Sequence, residues 1–431
     1  MCARNILIDK RLCNPEKNFA EIVGRRGRGH PDNICDMIAE RLSEYYCKYC
    51  EQDLKIKVPQ HNFDKVQISG GEVKWEKTFL KYPNEPPVGI QLKPMTIQIA
   101  GRAVNKIDKF EIDLKEIVKK AVNDVFNETF QRINPNDDEQ IDRIINVNEG
   151  SESLRKLYQL RRAGDTNIGI SHWPLTSFEK FVLNSEIEIE EKLIDNLNFI
   201  GEDIKILAIR NCNNIKVILT IAMIANEFNN LNDYIEKKNY LKHKTFEVIG
   251  NNLWKDDLIL DIEINPSDDL KVSSKAYGNA FLTISGTSAE NGDDGATGRG
   301  NPIEGVISSY QMTTGSNAIY GKNPFNHPSK LYNILSFIIS KNIVDFISEI
   351  KSCSIVLVSK IGVTLNSPQF INVSIEVENK ISKRIENQIN SIILKHLKNI
   401  DLIEPFILAN RINDIPKLLK YNKIDFDIFL K

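Results

Sequence analysis
The sequence lacks a dominant charge. Its 431 residues carry 56 Lys and Arg against 58 Asp and Glu, for a formal net charge of −2. A chain so balanced is not a general binder of polyanions, which argues against a nucleic-acid partner. Long apolar runs are missing too. A membrane helix needs about 18 consecutive apolar residues; the longest run, Val217 to Ala225, reads instead as a buried strand. The opening Met1-Cys2-Ala3-Arg4 starts no apolar leader, so a cytoplasmic chain with no membrane partner is expected. Cysteine is sparse: Cys2, Cys13, Cys35, Cys47, Cys50, Cys212 and Cys353, an odd and scattered set expected to stay as thiols. Cys47-x-x-Cys50 has no second pair to complete a zinc site and no strand leading into it, so it reads as part of a helix. What remains, 41% hydrophobic and 26% charged, is the profile of a globular protein and excludes collagen-like, mucin-like and disordered chains. The length allows roughly two to three domains, each large enough for its own core.

Apolar spacing predicts helices mixed with alternating strands. Ile34, Ile38, Leu42 and Tyr45 lie on one face of a helix over 33–50, started by Pro31-Asp32-Asn33. Ile97 and Ile99 alternate with Thr96 and Gln98 in a strand over 95–104. Ile117, Ala121 and Val125 mark a helix over 113–130. Strands over 204–209 and 215–224 are joined by the turn Asn211-Cys212-Asn213-Asn214. Further strands are expected over 258–264, 279–285, 355–359 and 371–377, and further helices over 328–350 and 379–397. Asn134 to Glu139 reads as a turn and a boundary, and Tyr82 to Val88, with three prolines, as a loop. The class is α/β (α+β), with helices layered on mixed or antiparallel sheet.

Three segments concentrate chemistry. Gly286 to Asn301 packs five glycines with Asp293, Asp294 and Arg299. Backbone N–H groups of such a loop cradle phosphate, and its carboxylates suit magnesium or an ammonium group. A solvated turn with a structural salt bridge is the plain alternative. Gly24-Arg25-Arg26-Gly27-Arg28-Gly29-His30-Pro31-Asp32 runs straight into a helix, whose N-terminus attracts anions. There the alternative is a helix cap beside an exposed basic loop. Gly315 to Pro324 resembles a phosphate loop but places five residues between its glycines and has Asn323 where Ser or Thr belongs. Lys322 remains a phosphate candidate. Asn148-Glu149-Gly150-Ser151, Gly164-Asp165-Thr166 and Gly201-Glu202-Asp203-Ile204-Lys205 are weaker, and Lys205 alone reads as a surface residue beginning a strand.

The order of these segments is more specific than any one of them. Gly29-His30-Pro31-Asp32, Gly70-Gly71, Gly101-Arg102-Ala103, Gly150-Ser151, Asp165-Thr166, Gly201 to Lys205, Gly286 to Glu290, Gly292-Asp293-Asp294-Gly295, Gly298-Arg299-Gly300-Asn301 and Gly321-Lys322-Asn323-Pro324 resemble archaeal-type S-adenosylmethionine synthetases. The match is collinear from about Ile6 to about Val377. The resemblance implies three similar helix-on-mixed-sheet domains, placed approximately at 1–140, 141–255 and 256–431 and intertwined. It implies a homodimer with active sites at the subunit interface. It implies joining of ATP to L-methionine, with the triphosphate then cleaved to diphosphate and phosphate. By the same resemblance His30 lies beside the triphosphate, and Lys205, Arg299 and Lys322 contact it. Asp32 is a magnesium ligand; a monovalent cation, K+, stays open as a second cofactor. Asn148, Glu149, Gly150, Ser151 and Asp165 belong to the nucleotide site, and Asp293 meets the amino group of methionine. Asp294, Asn323 and His327 match the pattern without a role.

Several positions depart from the family pattern. Gly24 stands where a glutamate is usual. Asn62-Phe63-Asp64-Lys65-Val66 replaces Asn-Thr-Asp-Gln-Val, and Pro86 to Leu92 replaces a glycine-rich loop. Ser153 replaces an aspartate, Gly164 an asparagine and Glu149 a glutamine. Pro302 and Glu304 replace arginine and asparagine, and Gln311 a later arginine. These changes leave two readings: a methionine adenosyltransferase with compensating changes, or a diverged paralogue with another acceptor or with an inactive, regulatory role.

Overall fold
The computed structural model describes residues 5–10, 15–268, 280–311, 319–409, 412 and 415–420. Cys2, Cys13, Asn279 and the start of the loop at Gly315 lie outside these residues. One order of elements recurs along the chain: strand, helix, antiparallel strand pair, helix, strand. The first run is strand Ala20–Arg26, helix Pro31–Lys48, strands His61–Ser69 and Met95–Ala103, helix Leu114–Thr129 and strand Ile141–Asn148. The second is strand Ile168–Trp173, helix Ser177–Ile189, strands Ile200–Asn211 and Asn214–Ile224, helix Leu231–Gly250 and strand Ile259–Ile264. The third is the short strand Gly295–Ala296, helix Pro328–Phe346, strands Ile350–Val358 and Phe370–Val377, and helix Lys383–Lys398. Its closing strand, Ile6–Lys10, comes from the other end of the chain.

Each sheet grows on one antiparallel pair. The closing strand adds in parallel to the second member: 141–148 on 95–103, 259–264 on 214–224, and 6–10 on 370–377. Parallel neighbours need a crossover, which helices 114–129 and 231–250 supply for the first two. The opening strand of each run instead joins another run's sheet. Strand 20–26 pairs with 200–211, 168–173 with 350–358, and 295–296 with 61–69. The three sheets thus exchange their opening strands in a ring. The divisions expected at 140 and 255 fall just before closing strands 141–148 and 259–264, so they cut two sheets. The polar stretch Asn134 to Glu139, read as a boundary, is the turn that leads into strand 141–148, with Asp137 N–H on Asn134 O at 3.1 Å.

Local chemistry sets the helix ends. Asp113 accepts the Glu116 N–H at 3.0 Å to start helix 114–129, and Thr176 with Glu179 forms a capping box on helix 177–189. Helix 328–346 is buried nearly all round, packed on strands 168–173 and 350–358 and against helix 383–398. Gly169 permits that approach, since a Cβ there would lie 2.3 Å from the Tyr332 carbonyl carbon. The helix stops at Phe346, short of the expected 350, because Ile350 already pairs with Val377. The strand expected over 279–285 is reduced to Leu282–Thr283, paired with Met223 and Ile224. Lys205 sits inside strand 200–211, beyond an irregularity between Ile200 and Ile204, and does not begin it. No helix among the described residues is long and apolar enough to cross a membrane. Cys47 and Cys50 are core residues, and burial pushes the Cys50 thiol up to about 12.

Candidate active site
Strand 20–26 turns through Gly27-Arg28-Gly29 into helix 31–48. The turn is tight: Gly27 N–H donates to Ile204 O at 2.8 Å and Gly29 N–H to Glu202 O at 3.2 Å. A Cβ on Gly29 would lie 2.4 Å from the Glu202 carbonyl, so only glycine lets the loop press against strand 200–211. The packing delivers His30 to the helix N-terminus, where its Nδ1 accepts the Asp32 N–H at 3.2 Å. Burial pushes the His30 imidazole down to about 3; the Arg26, Lys205 and Arg299 cations add to this and Asp293 opposes it. The ring is therefore neutral. With Nδ1 accepting, its proton sits on Nε2, a donor set among three cations.

Asp32, only 2% exposed, lies at the centre of this first cluster. It meets Arg26 Nε at 3.3 Å and Arg299 Nε at 3.2 Å, and accepts the Ala296 N–H at 3.1 Å. Arg26 and Lys205 are direct cross-strand partners, so their side chains share one face of the sheet. Asn301 fixes the Arg26 backbone with two hydrogen bonds, of 3.0 and 2.7 Å. On the far side the Ser288 hydroxyl donates to Asp203 at 2.5 Å and lies 3.0 Å from Asp293. Burial raises the Asp203 carboxyl to about 6; Ser288 opposes and the nearby Asp293 adds. Asp293 opens on a cavity of about 420 Å³ walled by Trp75, Phe79, Phe281 and Leu282.

A second cluster forms around Lys322. Gly321, in a left-handed conformation (φ +72°), bonds to Phe63, and Lys322 bridges to Asn62 at the end of strand 61–69. Lys322 Nζ lies 3.8 Å from Asp64. Burial pushes this ammonium down to about 8; Asp64 opposes, Lys65 and Lys330 add, and Asp165 opposes. His327, before Pro328 at the next helix, is pushed down to about 3 by burial, with Lys322, Arg102 and Lys330 adding and Asp64 opposing. Arg102 leads to the 148–151 segment: it is the register partner of Asn148, and its side chain lies against Gly150.

The predicted residues thus fall into two sets within one chain. His30, Asp32, Lys205, Arg299 and Asp293 gather at the start of helix 31–48. Lys322, Asp165 and the 148–151 segment gather near its other end, where the Lys322 carbonyl lies 3.5 Å from Ser43 Oγ. Eleven residues of helix from Asp32 to Ser43 correspond to about 16 Å.

A family model described as S-adenosylmethionine synthetase (AdoMet synthetase) matches residues 4–411. The chain belongs to the S-adenosylmethionine synthetase family. It is 32% identical over 411 residues to an S-adenosylmethionine synthase of Thermoplasma acidophilum, covering 94% of this chain and 98% of that protein. It is 31% identical over 425 residues to one from Methanocaldococcus jannaschii, covering 95% and 99%. Its fold resembles that of an unusual S-adenosylmethionine synthetase from Campylobacter jejuni, with a TM-score of 0.58 and 16% identity over 96% of this chain and all of that one.

Several of the departures from the family pattern have local partners. Lys65 pairs with Asp64 at 2.8 Å, and Glu149 with Arg155 at 3.3 Å. Glu304 is fully buried and accepts the Ser171 hydroxyl at 2.6 Å, while Gln311 donates to Glu179 at 3.4 Å. Phe63 packs with Tyr46 and His61 in the core. Gly24 lines an open cavity of about 310 Å³ with Arg26, Lys205, Ile22, Leu207 and Ile307. Glu40 and Lys330, both charged and buried, carry no motif, and Asp36 and Asp64 lie in motif segments without an expected role. An acid every fourth residue (Asp32, Asp36, Glu40) along an apolar helix was the available signal.

Proposed function
We propose that this chain transfers the adenosyl group of ATP to the sulfur of L-methionine. The sulfur attacks C5′, the C5′–O bond breaks, and the bonding pair leaves with the triphosphate. Water then cleaves the triphosphate to diphosphate and phosphate. A thioether needs no general base, and His30 is not placed to act as one: its Nδ1 is already committed to Asp32 N–H. Its Nε2–H, with Arg26, Lys205 and Arg299 around it, suits a leaving polyanion. That neutral donor inside a ring of cations is the observation that carries the reading. Asp293, at the mouth of an apolar cavity, suits the ammonium end of an amino acid whose side chain is apolar.

Magnesium fits as an ion brought with the phosphates. Asp32 is one carboxylate among cations, and no group of three or more metal-ligating side chains forms among the described residues. Magnesium characteristically takes one or two carboxylates plus phosphate oxygens and waters. Asp32 would hold it, with Asp203 and Asp293 within the same cluster. When bound, it neutralises charge on the leaving triphosphate. We assign no role to potassium.

The two clusters flank positions about 16 Å apart along one helix, which supports a homodimer that brings one copy's Lys322 region to the other's His30 region. Beside Lys205 the sheet exposes Ile22, Leu207 and Ile307 on adjacent strands, a face suited to a second copy. The family and the buried thiols support a cytoplasmic setting. Local pairing of Lys65 with Asp64 and of Glu149 with Arg155 supports methionine over another acceptor. The experiment is steady-state kinetics with ATP, magnesium and methionine, with mass detection of the adenosylated product. Ordinary kcat/KM is expected. No product from methionine, with product from another amino acid, would replace the acceptor; no product from any would end the enzymatic reading.

A further inference from the structure
Helix 31–48 carries acids at every fourth position on one buried face: Asp32, Asp36 and Glu40. Each receives a different loop. Asp32 takes Ala296 N–H and Arg299. Asp36, fully buried, takes the N–H groups on both sides of Arg299: Gly298 at 2.7 Å on Oδ1 and Gly300 at 3.1 Å on Oδ2. The fit is close, since a Cβ on Gly300 would lie 2.2 Å from Oδ2. Glu40 takes the Gly321 N–H at 3.0 Å, directly before Lys322. Both oxygens of Glu40 also meet the fully buried Lys330 Nζ at 2.8 Å. The Gly321 loop is thereby clamped between this helix and strand 61–69, where Phe63 N–H donates to Gly321 O at 2.7 Å.

We propose that Asp36 and Glu40 are positioning residues that set Arg299 and Lys322, respectively, on helix 31–48, so that the helix spaces the two phosphate cations of a chain. Neither carboxylate faces the open site; each acts through backbone N–H groups next to a cation. Two buried acids aimed at the flanks of two phosphate-binding side chains are more than loop satisfaction requires, because each fixes where its cation starts. Lys330 is the ion-pair partner of Glu40 in this buried setting.

This inference rests on the proposed phosphate roles of Arg299 and Lys322, so the test uses double-mutant cycles with two readouts. Asp36→Asn turns an amide N–H toward one of the two backbone donors. It should lower kcat by about tenfold or more, while KM for ATP moves less. In an Arg299→Ala background the same change should have no further effect on kcat. Glu40→Gln should behave likewise against Lys322→Ala, while Asp36→Asn combined with Lys322→Ala should multiply. If Glu40→Gln does not fold with Lys330 left unpaired, Glu40→Gln/Lys330→Met keeps a carbonyl for Gly321 without a buried charge and serves in the cycle. Multiplying effects within the Asp36–Arg299 or Glu40–Lys322 pairs would overturn the positioning role and leave a structural one. The second readout is calorimetric binding of tripolyphosphate with magnesium. A wild-type chain that binds it, with additive cycles, refutes the positioning alone; a wild-type chain that does not bind it refutes the phosphate roles themselves.

Discussion
His30 and His327 occupy matching places. Each stands directly before a proline that begins a helix, and in each burial pushes the imidazole down to about 3. Their surroundings differ. His30 caps its helix through Nδ1, and two of its three cationic neighbours are arginines. His327 makes no capping bond, its buried Nδ1 has no hydrogen-bond partner among the described residues, and its main cationic neighbour is Lys322, itself pushed down to about 8. Guanidinium groups hold their charge at any working pH, whereas a buried ammonium does not. The His30 region thus holds a fixed field of positive charge, and the Lys322 region is one that titrates.

The sharpest way to break this comparison is to remove one charge from each side. Asp32→Asn and Lys322→Ala should each lower kcat/KM by about 10²–10³-fold with the fold intact, as loss of a preorganised charge-stabilising group does. Near-normal turnover in either would mean that region does not serve the triphosphate. Mixing the two inactive chains under exchange then tests whether the regions meet across copies. In a mixed dimer one shared site carries both defects and the other carries none. Activity should return to about a quarter of the wild-type rate, since half the molecules are mixed and half their sites intact. No recovery, with subunit exchange verified by light scattering and mass, would place both regions in one chain's site.

A pH series sharpens the contrast further. In the free protein Lys322 loses its proton near pH 8, so kcat/KM for ATP should fall as pH rises through that value. Lys322→Arg should remove this limb, because arginine stays charged; a limb that persists would belong to another group. Stability follows the opposite limb. Between about pH 6.5 and 3 an unfolded chain protonates His327 while the folded one does not. Stability contributed there is lost as pH falls. His327→Gln should lessen this slope by up to about 1.4 kcal/mol per pH unit, read from urea midpoints at several pH values. An unchanged slope would mean His327 protonates without unfolding. The smallest effect is expected from Glu149→Gln: its pairing with Arg155 is half exposed and worth about 0.5 kcal/mol or less. ATP turnover should change by less than about threefold, and a larger change would assign Glu149 to the nucleotide.

Much of this was written locally. Pro31-Asp32-Asn33 and the apolar spacing from Ile34 to Tyr45 announce helix 31–48, and the turn at Cys212 announces the tightest strand pair. The motif order named the family, and its residues are the ones the fold gathers into two clusters. Asp36 and Glu40 were not legible, because an acid in a helix reads as a solvent-facing charge until its partners are known. Those partners, the N–H groups of Gly298, Gly300 and Gly321, lie more than 250 residues away in sequence. Lys205 read as surface decoration for the same reason: its meaning comes from Arg26 on the neighbouring strand. The end of helix 328–346 was hidden by Ile347 and Ile350, which continue its apolar character while already leaving its axis.

The exchange of opening strands has a consequence in time. Arg26 and Lys205 become neighbours only through the pairing of strand 20–26 with strand 200–211, and Arg299 joins them later still. A ribosome adds about 5–20 residues per second. The strand that carries Arg26 therefore waits roughly 10–40 seconds after synthesis for its partner. Throughout that interval Ile22 and Val23 have no sheet to join, and the nascent chain carries an unpaired edge. Assembly of the Arg26, Lys205 and Arg299 cluster is consequently a late event, set by the length of the chain between its parts.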